Sequence, residues 1–153
     1  MSERFRKWFR SGEALNANMK RALRDPVLGE MTYDFEESCW HAQVEAAGRA
    51  RVISVRGDAA PDPTLLQHAR TIGRDFQTFE TRVADFLHRE SDERHWASLG
   101  YREEIIGLTI DRVDFPWADQ PESGTVFFEG GFHNRLWRCH FDGTSMRSLV
   151  FDS

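Results

Sequence analysis

The sequence predicts an α+β fold: an antiparallel sheet built from N- and C-terminal strand groups, packed on one long central helix with a short second helix. Three patterns carry that prediction. Between Pro63 and Arg89 the apolar residues Leu65, Ala69, Ile72, Phe76, Phe79, Val83 and Phe86 recur at spacings of four and three, one stripe along one helix face. Before that stretch Trp40, Ala42, Val44 and Ala46 alternate with Cys39, His41, Gln43 and Glu45, the period of a half-buried strand. After it Trp137, Cys139 and Phe141 alternate with Leu136, Arg138 and His140.

The elements follow in order. Residues 1–24 read as a basic helical segment, with seven Lys or Arg against two Glu, Phe5, Trp8 and Phe9 at helical spacing, and a second helical piece from Glu13 to Leu23. Residues 25–153 form the single domain, opened by Asp25-Pro26 because proline disfavours a helical residue before it. Glu30–Asp34, Ser38–Ala46 and Arg51–Arg56 make a meander, with Ile53 and Val55 facing the core. Asp62 caps the long helix and Pro63 suits its first position. Such a helix spans about 40 Å at about 1.5 Å per residue, against about 23 Å for a seven-residue strand. It therefore overhangs the sheet or bends near Gly73, the residue that costs about 1 kcal/mol relative to Ala. Ser91–Leu99 is the second helix, and Tyr101–Ile106 reads equally as helix or strand. Leu108–Phe115, Thr125–Glu129, Arg135–Phe141 and Met146–Phe151 are strands, the last two joined by the hairpin signal Asp142-Gly143.

Composition bounds the function. The 153 residues can bury a real core without a staple, since 12 Phe and 5 Trp supply large apolar side chains. No apolar run reaches membrane-spanning length and no secretory pattern is present, so a cytoplasmic location is the expectation. The first 24 residues carry +5 and the rest carry −10, to a total of −5. An acidic body lacks the basic footprint that nucleic acid needs and suits a basic protein partner. The nucleotide-binding loops GxxxxGK[ST] and GxGxxG, the elbow GxSxG, the zincin motif HExxH and CxxC are all missing, and no cofactor is expected.

Cys39 and His41 share a strand face, and Cys139 is the donor that could complete a thiolate–imidazole zinc set with them. Cys139 instead reads as a small buried hydrophobe between Trp137 and Phe141, with Cys39 on a more exposed face, so no metal site and no disulfide are assigned. The carboxylates Asp34, Glu36, Glu37, Asp111 and Asp114 read as acidic surface. The loops carry the better hint. Trp117 lies between Pro116 and Pro121 beside Asp119 and Glu122, and Phe132 and His133 sit in another turn. Aromatic anchors beside acids are typical of partner-binding surfaces. Two alternatives stand beside this one: an enzyme with a site assembled from His133, Asp111 and Glu129, and a peripheral membrane protein held by residues 1–24.

The run Asp25-Pro26-Val27-Leu28-Gly29-Glu30-Met31-Thr32-Tyr33-Asp34, followed by Trp40 and a turn at Gly48, resembles the opening of small bacterial domains of unknown function. Proteins of this layout, size and acidity are similar to immunity partners of bacterial toxins. The resemblance implies binding and neutralising a toxin, with no catalytic residues to carry over.

Overall fold

The computed structural model describes residues 21–152. Eight strands form one sheet whose spatial order is the chain order: β1 (Ala22–Asp25), β2 (Gly29–Asp34), β3 (Cys39–Ala46), β4 (Arg49–Arg56), β5 (Thr109–Phe115), β6 (Ser123–Glu129), β7 (Leu136–Asp142) and β8 (Ser145–Asp152). Every neighbouring pair is antiparallel except β4 and β5, which run parallel. The sheet is therefore mixed, which corrects the expected antiparallel sheet. The reason is the helical stretch between the two strand groups. It carries the chain back across the sheet, so β5 restarts at the end where β4 began, the crossover that a parallel pair requires.

The expected single long helix is also corrected. The stretch is two helices, α1 (Pro63–Arg74) and α2 (Phe76–Ser91), followed by the short α3 (Arg94–Ser98) and α4 (Arg102–Ile106). The break is at Asp75, two residues beyond Gly73. Its backbone leaves the helical region at φ −139°, and its carboxylate caps α2 by accepting from Thr78 N–H at 3.2 Å and Thr78 Oγ at 2.6 Å. The apolar stripe survives the break, because Leu65 and Ala69 on α1 and Phe76, Phe79, Val83 and Phe86 on α2 are all buried. Gly73 serves packing instead. A Cβ there would sit 2.5 Å from Leu28 Cδ2, so α1 lies directly on the β1–β2 turn. Asp25 fastens the same contact, accepting from Arg70 at 2.6 and 2.8 Å and from Val27 and Leu28 N–H at 2.9 Å.

The helices cover one sheet face. Met31, Ala42, Ile53, Val113, Val126 and Cys139 lie side by side across β2 to β7 and form the floor of the core. The opposite face carries a polar row in matching register: Thr32, His41, Ser54, Asp114, Thr125 and His140. At the N-terminal edge Ala22, Leu23 and Arg24 belong to β1, where the sequence pattern suggests a helix ending at Leu23. The rest of the expected basic segment, residues 1–20, lies outside the described residues. No helix among the described residues is long and apolar enough to cross a membrane.

Candidate functional site

Strand directions sort the connections to the two ends of the sheet. One end gathers the β2–β3 turn (35–38), the β4–α1 loop (57–62), the β5–β6 loop (116–122) and the β7–β8 turn (143–144). These connections hold six carboxylates and no Lys or Arg, and Glu36, Asp58, Asp119 and Glu122 are exposed. Arg56, at the end of β4, is an exposed cation there, and the Arg21 guanidinium lies 4.9 Å from the Phe35 ring centre. At the other end the turns 26–28 and 47–48 are uncharged. Among the described residues, the acidic connections are thus gathered at one end of the sheet.

Local chemistry holds these acidic connections in place. Asp34 Oδ1 accepts from Glu36 N–H at 2.9 Å and from Glu37 N–H at 3.3 Å, the Asx geometry that shapes the β2–β3 turn. The β5–β6 loop is pinned to the β7–β8 turn by Gly143 N–H donating to Glu122 C=O at 2.9 Å. Gly124 closes that loop. A Cβ there would lie 2.2 Å from Asp114 O and 2.4 Å from the Phe141 ring, so only glycine fits. Trp117 remains 37% exposed, its ring 5.8 Å from that of His140. A groove of about 300 Å³ opens nearby, with Phe79, Phe115 and Phe141 in its lining and Asp75, Glu122 and Arg82 among its polar groups.

Three of the five residues expected to bind a partner, Trp117, Asp119 and Glu122, sit at this acidic end. Phe132 and His133 occupy a 3₁₀ turn at the opposite end, reached through the length of β6, so the five do not make one surface. That turn has its own anchor. The buried Glu104 accepts from Phe132 N–H at 2.7 Å, from Arg135 at 2.7 and 2.9 Å and from Trp137 Nε1 at 2.9 Å. Of the alternative catalytic set, His133 is exposed, Asp111 is buried beside the β5 bulge, and Glu129 pairs with Arg49 at 2.7 Å.

A second cluster lies on the opposite sheet face beneath the β2–β3 turn. Cys39 and His41 are 8% and 1% exposed, which corrects the expectation of an exposed face for Cys39, and Asp34 is buried with them. His41 Nδ1 is 2.5 Å from Ser54 Oγ, and its Nε2 faces Asp34 Oδ2 at 3.3 Å, Cys39 Sγ at 3.7 Å and Glu37 Oε2 at 3.9 Å. The Cys39 thiol donates to Glu37 Oε2 at 3.7 Å. Arg112, from β5, clamps the group by donating to Glu37 Oε2 at 2.8 Å and Asp114 Oδ2 at 2.7 Å. Burial, followed by the Arg112 charge, holds the His41 pKa below its ordinary value, so the imidazole is neutral. Burial, followed by Glu37, pushes the Cys39 thiol far up, and burial raises Asp114 to about 6. Cys139 lies on the core face, so neither the three-donor set with Cys39 and His41 nor a disulfide can form across the sheet. The one signal for this cluster in the sequence was Cys39 and His41 two apart behind Asp34 and Glu37. Ser54, Arg112 and Asp114 come from strands that only the fold brings alongside.

No family model, no curated protein and no solved structure matches this chain.

Proposed function

We propose that this chain is a non-enzymatic protein-binding domain that docks a basic partner at the acidic end of its sheet, in the manner of an immunity protein neutralising a toxin. The observation that supports the reading is the sorting of charge. Four connections converge at one end, and their six carboxylates face no Lys or Arg within them. Such a field steers a basic protein on encounter. Trp117, Asp119 and Glu122 offer an aromatic anchor ringed by acids, and the adjoining groove can take an apolar side chain of the partner.

The test is affinity capture from native cells with wild type and with a variant carrying Glu36→Gln, Asp58→Asn, Asp119→Asn and Glu122→Gln. The wild type should retain a basic protein whose binding weakens at high salt, and the variant should lose it while keeping the same thermal melt. For the immunity reading, the captured protein should arrest growth when expressed alone and be silent beside this chain. Equal retention by both forms, or salt-independent binding, would sink the proposal.

A further inference from the structure

The buried cluster beneath the β2–β3 turn points to a second kind of ligand. We propose that Glu37, Cys39 and His41 form a binding site for one zinc-class divalent cation, with the Asp34 carboxylate as the nearest further oxygen donor.

The geometry is that of a preformed coordination shell. Donors bound to zinc at about 2.0–2.3 Å with tetrahedral angles lie about 3.3–3.6 Å apart. Here Nε2 of His41 lies 3.7 Å from Cys39 Sγ and 3.9 Å from Glu37 Oε2, and Sγ lies 3.7 Å from that same oxygen. The two edges that include sulfur exceed that range by about 0.1 Å, and the nitrogen–oxygen edge, whose ideal is the shorter end, by about 0.5 Å, so Glu37 must move in by that much on binding. Asp34 Oδ2 stands 3.3 Å from Nε2, again one tetrahedral edge, while its other oxygen stays with the turn N–H groups.

The surroundings suit a metal as well. A ligating histidine needs its second nitrogen held, so that the first presents its lone pair inward. Ser54 Oγ, 2.5 Å from Nδ1, can take that N–H while its own hydroxyl donates to Asp114, with which it is hydrogen-bonded. In that tautomer Nε2 carries the lone pair toward the donor set. Arg112 donates to the same Glu37 Oε2 at 2.8 Å and fixes its position. Charge argues in the same direction. The carboxylates of Asp34 and Glu37 beside the thiol and imidazole supply anionic donors that a divalent ion would bind. Sulfur and imidazole beside a carboxylate select zinc over magnesium or calcium, which take oxygen sets. The ion's path is short, since the Glu37 side chain is 24% exposed at the turn.

Cobalt titration of the reduced full-length chain tests this, because Co²⁺ occupies zinc sites and reports a bound thiolate through sulfur-to-metal charge transfer. One equivalent should develop that band together with four-coordinate d–d bands, and Zn²⁺ should displace it. Cys39→Ser should abolish the charge-transfer band. Cys139→Ser, which alters the other cysteine on the core face, should leave it intact. Glu37→Gln should weaken binding, and Ser54→Ala should weaken it by about 10–100-fold while keeping the band, as expected of a positioning residue. Should Cys39→Ser fail to fold, alkylation of the wild type decides. Zinc must protect Cys39 and leave the reactivity of Cys139 unchanged. A titration with no charge-transfer band, a band that persists in Cys39→Ser, or unprotected Cys39 would each overturn the site. The docking test stands apart, since it alters Glu36, Asp58, Asp119 and Glu122 and reads retention of a partner.

Discussion

Replacing Glu104 should remove a large part of this protein's stability. Its side chain is 1% exposed, yet it takes five hydrogen bonds from three different residues: one from the Phe132 N–H, three from two nitrogens of Arg135 and one from the indole of Trp137. Glu104→Ala leaves the Trp137 N–H in the core without an acceptor and the Arg135 cation, 17% exposed, without its counter-charge. Breaking a buried pair from one side costs about 3–5 kcal/mol. Glu104→Gln keeps one acceptor oxygen but points an NH₂ group at remaining donors, which costs about 1–3 kcal/mol. With a urea m-value of about 2 kcal/mol/M, the midpoint should fall by roughly 2 M for the alanine variant and by about half as much for glutamine. The assay is urea unfolding followed by tryptophan fluorescence, with an unchanged m showing that the midpoint shift is a change in stability. A loss below about 1 kcal/mol for Glu104→Ala, the scale of an ordinary surface change, would refute the assignment of Glu104 as the anchor of the Phe132–Asn134 turn.

Three further outcomes are expected. Gly73→Ala gains about 1 kcal/mol of helix propensity but drives a methyl to 2.5 Å from Leu28 Cδ2; overpacking costs about 1–3 kcal/mol, so the melting temperature should fall, and a rise would show that Leu28 moves aside freely. Asp62 accepts from Thr64 and Leu65 N–H at 3.0 and 3.1 Å, so Asp62→Ala should cost about 1 kcal/mol in urea unfolding, with no change showing that α1 needs no cap. Asp25 and Glu104 both have lowered pKa values: burial opposes the shift, and Arg70 or Arg135 with backbone N–H groups more than offsets it. Their contribution is complete above the unfolded carboxylate pKa of about 4 and is lost as pH falls through the lower folded values, so stability measured from pH 6 downward should drop below about pH 4, less steeply in Glu104→Gln.

How much was legible in the sequence depended on whether a pattern was local. The alternation around Trp40 and Trp137 located β3 and β7 within a residue or two, because side-chain period is a property of a few neighbours. The stripe from Leu65 to Phe86 correctly named the buried face but concealed the break. A kink that preserves the stripe leaves no trace in apolar spacing, and Asp75 with Thr78 three residues on was the signal that could have shown it. Parallel pairing of β4 with β5 was implicit in strand, helix and strand following one another, yet two similar meanders masked it. Of the candidate sites, the acidic loop was readable because Trp117, Asp119 and Glu122 are sequence neighbours. The cation site was half readable. Cys39 and His41 announced themselves, while burial, and the Ser54, Arg112 and Asp114 that support them, depend on registers between strands that no single segment encodes.

The parallel seam between β4 and β5 also decides what the chain cannot be divided into. On connectivity it looks like two four-stranded meanders, each closed by short turns, and dividing it at the helices is tempting. Either fragment would end on a bare edge that is central in the whole protein: Val52, Ile53 and Val55 on one, Ile110, Val113 and Phe115 on the other, all buried here. An apolar edge with unpaired N–H and C=O groups recruits further strands and aggregates. In the intact sheet these two apolar strands satisfy each other, and residues 22–152 form one unit that no truncation at the helices would respect.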